Sequence, residues 1–213
     1  MKKIKLIALA LILLSFIAAF YFYQKMPAKM ASHWDASGNV NGYMPRFWGL
    51  LLVPIISLVF FILFIAIPKI DPLKQNIKNF SFYYDMFILI FTIFINYIYA
   101  LIIAWNLGIV FNMSLMLVPA FALLFYYLGI LIQNSKRNWF IGIRTPWTLS
   151  SDAVWDKTHK IGGKLFKISG IIALIGILFP AYSVWFVIIP VLIATFYAIA
   201  YSYFEFKKEI KKK

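Results

Sequence analysis

Three residues, Asp152, Asp156 and His159, carry side chains that could bind a metal ion or perform acid–base catalysis. On a helix their spacing would place the two carboxylates and the imidazole within about 60° of one another, as such chemistry requires. Solvated helix faces also carry such combinations, and Asp156 can pair with Lys160 four residues on. We therefore expect no catalytic residue and no metal site, and we keep a metal-dependent membrane enzyme built on this triple as an alternative.

A weaker metal site is indicated by His33 and Asp35, which stand two residues apart. A metal ion needs at least one further protein ligand, and the surrounding loop offers none, so a structural role for both residues is favoured. The chain contains no cysteine. This excludes disulfides, thiolate metal sites and thiol nucleophiles, and we expect no cofactor.

Arg144 could bind an anion. Pro146 fixes its own φ and biases Thr145 toward an extended conformation, so the segment from Arg144 to Trp147 is predicted to form a rigid corner. A guanidinium group held in this way suits a phosphate, a carboxylate or a row of helix-terminal carbonyls. A lipid phosphate or a helix-capping contact is favoured, and a protein partner is left open.

The elements that position these residues are predicted to lie in a membrane. Of the 213 residues, 63% are hydrophobic and only 13% are charged, and the mean hydropathy is +0.85. A run of about 20 apolar residues can cross a hydrocarbon core of about 30 Å. The chain has six such candidates, at residues 4–23, 47–67, 86–105, 113–132, 167–178 and 183–204. The first is longer than a signal-peptide core, so we expect it to be retained.

The predicted fold class is therefore all-α, a polytopic membrane protein with six transmembrane helices and an interfacial amphipathic helix in the fourth loop. We predict this extra helix at residues 151–161, capped by Ser150 and ended by Gly162 and Gly163. The predicted units are the first two spans at 1–67 with a turn-rich loop at 27–46, a linker at 68–85, a main domain at 86–206 with a loop at 133–166, and a lysine-rich tail at 207–213.

The distribution of lysine and arginine predicts the orientation of the spans. All but three of the 21 basic residues, namely Lys25, Lys29 and Arg46, fall on the same side as the two termini. Because positive charge stays on the cytoplasmic side, we predict a multi-pass cell-membrane protein with both termini in the cytoplasm. The net charge of +14 then attracts anionic lipid head groups, and we expect no direct contact with nucleic acid.

The extracytoplasmic loop is predicted to be ordered. Ser37-Gly38-Asn39 and Asn41-Gly42 supply residues that tolerate a positive φ, which favours a short hairpin. His33, Trp34 and Tyr43 would then lie at head-group depth, where amphipathic rings prefer to be.

Two stretches of the chain resemble the SdpI family of membrane proteins. Residues of the outer loop resemble the segment that precedes the main domain in many members: Pro27, His33, Trp34, Gly38, Asn41, Gly42 and Tyr43. Asn41 departs from the family pattern, which more often has an aspartate there. The inner segment 138–149, NWFIGIRTPWTL, together with Trp155, Thr158, His159, Gly162 and Gly163, is similar to the family signature.

The resemblance implies a non-enzymatic immunity protein that protects a bacterium from a membrane-active peptide toxin. The best-known family member also tethers a repressor at the membrane when toxin is present; toxin-dependent docking of a cytoplasmic regulator is a further expectation here, but that member's particular toxin and repressor are not carried over. Expected partners are thus membrane lipids, a secreted peptide toxin and a cytoplasmic repressor. A small-solute or lipid transporter with kinks at Pro54, Pro119 and Pro190 is a further alternative.

Two sets of site residues follow from this hypothesis. The extracytoplasmic set is expected to bind the toxin and consists of His33, Trp34, Gly38, Asn41, Gly42 and Tyr43. The cytoplasmic set is expected to bind lipid or a partner and consists of Asn138, Trp139, Gly142, Arg144, Thr145, Pro146, Trp147, Trp155 and His159. Gly142 and the pair Gly162-Gly163 could provide hinges for a signalling movement.

Overall fold

Six long helices dominate residues 2–211, the part of the chain that the computed structural model describes. In chain order the helices are α1 (Lys2–Phe22), α2 (Arg46–Ile70), α3 (Lys74–Asn79), α4 (Ser81–Asn106), α5 (Met113–Asn134), α6 (Pro146–Ser150), α7 (Asp152–Ile175) and α8 (Ser183–Ile210). All except α3 and α6 are long and apolar enough to cross a membrane. The predicted multi-pass, all-α architecture is confirmed. Residues 212 and 213 of the predicted tail lie outside the described residues.

The long helices pack as two groups of three. α1 packs against α2 and α4, where Ile12, Phe61 and Ile88 are buried. α7 packs against α5 and α8, where Val118 and Ala173 are buried. We call these groups the amino-terminal and the carboxy-terminal half-bundle, and contact between α4 and α5 joins them. The predicted division of the chain at residues 68–85 stays a prediction; this segment contains α3 and the start of α4, and α4 packs with the first two spans.

Gly129 and Gly163 allow α5 and α7 to approach closely. A Cβ atom on Gly129 would lie 2.5 Å from the carbonyl oxygen of Gly163, and a Cβ atom on Gly163 would lie 2.5 Å from the carbonyl oxygen of Gly129. A larger residue at either position would push the two backbones apart, and small residues are typical of such contacts in membrane bundles. α7 runs without interruption through this point. The predicted helix end at Gly162 and Gly163 is therefore wrong.

The predicted interfacial helix at residues 151–161 is the first part of α7 and not a separate element. Its N-cap is Ser151, whose Oγ accepts a hydrogen bond from the backbone N–H of Val154 at 3.3 Å, whereas Ser150 was expected in this role. The fifth span thus begins with polar residues at Asp152. Because the first part of this span is polar, the apolar run at 167–178 indicates only the second half of the span.

The outer loop forms the predicted hairpin. Strands β1 (Lys29–Trp34) and β2 (Val40–Pro45) pair antiparallel, and Lys29 lies opposite Pro45. Asp35 closes the turn, because its Oδ1 accepts from the backbone N–H groups of Ser37 and Asn39, each at 2.9 Å. Gly38 has φ +85°, the left-handed conformation that a tight turn favours in glycine.

The hairpin is fixed to the bundle by side chains from α4 and α5. Asn106 pairs with the backbone of Ala31: its Oδ1 accepts from the N–H at 2.8 Å and its Nδ2 donates to the carbonyl at 3.0 Å. Ser114 Oγ donates to the carbonyl of Asp35 at 3.0 Å. We call this end of the molecule the hairpin end.

The opposite end of the bundle is closed by residues 135–151, which connect α5 to α7 and which we call the tryptophan loop. Asp71, after α2, accepts from the backbone N–H of Trp139 at 2.9 Å. Ser202, in α8, is hydrogen-bonded to Thr145 at 3.0 Å. The tryptophan loop is thus held by both half-bundles.

Candidate functional site

Asn138 organises the start of the tryptophan loop. Its side chain is fully buried. The Oδ1 atom accepts from the N–H groups of Phe140 at 2.9 Å and Ile141 at 2.6 Å, and the Nδ2 atom donates to the carbonyls of Lys136 at 2.8 Å and Ile141 at 2.9 Å. Both the oxygen and the nitrogen of the amide are thus hydrogen-bonded within the loop. The role of Asn138 in this structure is to fold the segment, and its side chain is not available to a ligand.

Trp155 and His159 form the support on which the loop rests. Both are buried in α7, and their rings stack with centroids 3.8 Å apart. Trp155 Nε1 donates to the carbonyl of Ser135 at 3.0 Å. His159 Nδ1 donates to the carbonyl of Trp155 at 2.8 Å, and Nε2 accepts from the N–H of Ile143 at 2.9 Å. Since an amide N–H points at Nε2, this network assigns the imidazole as the neutral tautomer with its proton on Nδ1.

The three residues considered for catalysis do not converge. His159 faces the loop, whereas Asp152 and Asp156 face outward with side-chain exposures of 72% and 58%. Asp152 lies 2.7 Å from Arg137 Nε, and Asp156 lies 3.4 Å from Lys136 Nζ and not against Lys160. Within residues 2–211 no group of three histidine, aspartate or glutamate side chains is placed to hold a metal. The enzyme alternative therefore lacks the geometry on which it depended.

Thr145 and Thr148 cap the short helix α6. Thr145 Oγ1 accepts from the N–H of Thr148 at 3.1 Å, and Thr148 Oγ1 accepts from the N–H of Thr145 at 2.9 Å. Pro146 takes the first helical position, where its missing N–H is not needed. Trp147 packs edge-on against Tyr203 of α8 with ring centroids 5.1 Å apart. The corner that the Arg-Thr-Pro-Trp sequence predicts is therefore a capping box, docked on α8.

Gly142 is needed because the loop passes directly over His159. It has φ +115°, and a Cβ atom at this position would overlap His159 Nε2 and lie 3.1 Å from Cδ2. Any larger residue would break the contact that holds Ile143. The close approach of the loop to His159 explains why residue 142 is a glycine, so a hinge is not needed to account for it.

The outward surface of the tryptophan loop includes Trp139, Phe140 and Arg144. The two aromatic residues are 51% and 39% exposed. Arg144 is exposed as well, and its Nη1 donates to the carbonyl of Trp139 at 2.7 Å. Of the nine residues predicted for this site, Trp139, Arg144 and Pro146 are exposed and Trp147 is half-buried, whereas Phe140 was not among the nine.

Several residues that shape this end were missed by the sequence analysis. Asp71 is 2% exposed and bonds two segments, accepting from the N–H groups of Leu73 at 2.6 Å and Trp139 at 2.9 Å. Glu205 is paired with Lys157 at 2.9 Å and Lys208 at 2.8 Å. An acid at the end of an apolar span is the signal that could have identified Asp71, because such a carboxylate seldom stays buried without partners.

At the hairpin end the predicted residues serve the hairpin in different ways. His33 Nδ1 is hydrogen-bonded to Asn41 Oδ1 across the strands. Gly42 lies opposite His33, and a Cβ atom there would lie 2.9 Å from its Cβ. Trp34 packs edge-on against Trp105 with centroids 5.8 Å apart. Tyr43 is 62% exposed, and His33 and Asn41 are exposed as well, so these predicted residues are accessible to a ligand.

An apolar groove of about 460 Å³ lies beneath the turn of the hairpin. Its walls are aliphatic and aromatic side chains of α5 and α8, and Trp34 and Asp35 lie at its hairpin edge. Among the described residues, Asp35 forms no ion pair, since no basic nitrogen lies within 4 Å of its carboxylate. The groove therefore combines an apolar wall with one uncompensated negative charge.

The fold and its two ordered ends define a multi-pass helical membrane protein without a convergent catalytic centre among the described residues. Residues 134–202 match the model of the SdpI/YfhL protein family, and residues 10–58 match a domain of unknown function (DUF1648). This match confirms the resemblance to the SdpI family that the motifs predicted. The first match covers the tryptophan loop, and the second covers the hairpin.

The similarity extends to the full length of a characterised relative. The chain is 26% identical to "Immunity protein SdpI" of Bacillus subtilis (strain 168) over 210 residues, which is 98% of each chain. No solved structure matches the chain significantly.

Proposed function

We propose that this chain is an immunity protein of the cell membrane, which protects its host from a membrane-active peptide toxin without enzymatic action. The observation that carries the proposal is the 26% identity to an immunity protein over 98% of both chains. A match of this extent includes all six spans and both ordered ends. The separation of His159 from Asp152 and Asp156 supports a non-enzymatic role.

We place the hairpin end outside the cell and both termini in the cytoplasm. This orientation is supported by the three basic residues near the hairpin, Lys25, Lys29 and Arg46, against the much larger number at the other end. The hairpin would then be the first ordered part of the protein that a secreted peptide meets.

The toxin-facing surface in this proposal is the hairpin with the groove beneath it. Peptides that act on membranes carry apolar side chains on one face and lysine or arginine on the other. The groove offers an apolar wall for the first and the carboxylate of Asp35 for the second. Tyr43, Phe47 and Trp48, which are 62%, 48% and 50% exposed, extend this surface over the adjacent bilayer.

The exposed part of the tryptophan loop is the proposed docking surface for a cytoplasmic regulator. Trp139, Phe140 and Arg144 supply the aromatic and arginine side chains that are enriched at protein interfaces. A signal would require toxin to bind one arrangement of the bundle more tightly than another. The bond between Thr145 and Ser202 connects the loop to α8, which also lines the groove at the hairpin end.

Protection can be measured by expressing the full chain in a toxin-sensitive bacterium and exposing it to a panel of apolar, cationic membrane-active peptides. We expect the inhibitory concentration of at least one peptide to rise several-fold. Asp35→Asn should reduce this protection, because the amide keeps the oxygen that closes the turn and removes the charge. Asp156→Asn, an exposed carboxylate at the opposite end, is the matched control. Absence of protection against every peptide, at verified expression, would contradict the proposed function.

A further inference from the structure

A second apolar groove, of about 480 Å³, lies on the inner side of the tryptophan loop. Both half-bundles contribute to it: Phe64 and Phe87 come from α2 and α4, and Leu128, Phe166 and Ile199 come from α5, α7 and α8. The groove is thus a seam between the two groups of helices. Because these walls belong to membrane-spanning helices, the groove lies next to the hydrocarbon core, and its lining is mostly apolar.

Arg144 is the charged residue at the edge of this groove. Its backbone is fixed by the capping box that begins at Thr145, and its Nη1 donates to the carbonyl of Trp139. A guanidinium group has five N–H donors in a planar arrangement, so this bond leaves others for a ligand. Arg144 is exposed and forms no ion pair within residues 2–211.

The depth of Arg144 matches that of lipid head groups. The adjacent residues Trp139 and Phe140 are 51% and 39% exposed at this end of the bundle, and an amphipathic ring such as that of Trp139 prefers the interface between hydrocarbon and water. A positive charge at this depth, directly above an apolar slot, is complementary to a molecule with an anionic head and a hydrocarbon tail.

We propose that this groove binds one anionic phospholipid of the surrounding bilayer. One acyl chain occupies the seam between the half-bundles, and the phosphate accepts hydrogen bonds from Arg144. The lipid would join two half-bundles that otherwise meet mainly through α4 and α5. This site does not depend on the toxin, and it lies at the opposite end of the molecule from the proposed toxin surface.

The test uses the purified full chain, transferred into a detergent mixture containing equal amounts of phosphatidylglycerol and phosphatidylcholine and analysed by native mass spectrometry. We expect one phosphatidylglycerol to be retained in preference to phosphatidylcholine. Arg144→Gln should lower the ratio of retained phosphatidylglycerol to phosphatidylcholine about fivefold, the effect of one basic residue at a membrane surface. Arg144→Lys should keep most of the preference, because it keeps the charge.

Two controls separate a specific site from general attraction to anionic lipid. Arg46, at the hairpin end, is a half-buried arginine whose Nε donates to one backbone carbonyl, that of Pro27 at 3.3 Å, so Arg46→Gln should leave the ratio unchanged. Ile199→Trp should fill the groove and release the lipid, whereas Ile193→Trp, on an exposed face of the same helix, should not.

Three results would overturn the proposal. The first is an unchanged lipid ratio in Arg144→Gln, and the second is an equal loss in Arg46→Gln. The third is retention of the lipid in an Ile199→Trp protein that elutes as a folded species. None of these measurements involves toxin, so loss of the lipid site and loss of the immunity function would be distinguished.

Discussion

Asn138, Thr148 and His159 each bond backbone groups of the tryptophan loop, and each is buried. These polar side chains therefore fix the shape of the loop. What the loop offers to a ligand is a smaller set at its surface, in which Lys136 is paired with Asp156 and Arg144 has no acidic partner among the described residues. This division matters for mutagenesis, because loss of function at Asn138 would report a misfolded loop and loss at Arg144 would report a lost contact.

Gly142→Ala is expected to destabilise the protein more than an equivalent change at Gly108. Both glycines have a positive φ, +115° and +96°, so both substitutions carry backbone strain of about 1 kcal/mol or more. Only Gly142 also lies against a neighbour, since its added Cβ would overlap His159, whereas nothing lies within 4 Å of the Cβ position of Gly108.

The comparison can be made by thermal unfolding of the purified variants in detergent. We expect Gly142→Ala to lower the midpoint by about 5 °C or more and Gly108→Ala by about 2–4 °C. Equal shifts would show that the close approach to His159 contributes nothing beyond the strain of a positive φ.

At the scale of elements, the hairpin depends on one side chain of α4. Asn106 satisfies both backbone groups of Ala31, in the middle of β1. Asn106→Ala would leave these groups without partners, at a cost of about 1–3 kcal/mol. Hydrogen exchange of residues 29–45 should therefore accelerate about tenfold or more.

The control for this prediction lies on the same helix. Asn96 Nδ2 donates only to the carbonyl of Thr92 within α4, so Asn96→Ala should leave exchange in the hairpin unchanged. If Asn106→Ala also leaves it unchanged, the hairpin is held by its own strand pairing and by its contacts with α5.

The sequence was sufficient to predict the elements whose signals are local. Long apolar runs predict the spans because the bilayer demands length and apolarity. The sequence Ser37-Gly38-Asn39 predicts the hairpin, because the turn needs a positive φ, which glycine adopts and most other residues do not. The pair Gly162-Gly163 was misinterpreted, since local propensity treats two glycines as a helix end. Contact with Gly129 of α5, which no local pattern contains, keeps α7 continuous.

The local shape of the tryptophan loop was predicted in part. The rigid corner at Pro146 follows from the restrictions that proline places on its neighbours, and the structure contains it. The inward direction of His159 could not be predicted in this way. On a helix, His159 is close to Asp152 and Asp156 on one side and to Trp155, one turn earlier, on the other. Only the packing of the tryptophan loop determines that its ring lies with Trp155 and not with the two carboxylates.

In the whole molecule, the acidic residues are divided unequally between the two ordered ends. The acidic residues other than Asp35 lie toward the end that holds the tryptophan loop, where Glu205 and Asp85 pair with lysines. The hairpin end thus has one carboxylate, which is unpaired in the described structure. An apolar groove lies at each end, with a negative side chain at one and a positive side chain at the other. The two grooves are therefore suited to ligands of opposite charge.

The proposed orientation can be tested directly because the chain has no cysteine of its own. Tyr43→Cys and Trp139→Cys introduce single thiols at positions that are 62% and 51% exposed, at opposite ends of the bundle. In intact cells a membrane-impermeant maleimide should label Tyr43→Cys and leave Trp139→Cys unlabelled until the membrane is opened. Labelling of Trp139→Cys alone would invert the orientation and transfer the toxin-facing role away from the hairpin. Labelling of both in intact cells would mean that the six helices do not separate the two ends, and the assignment of one end to toxin and the other to lipid and regulator would fail.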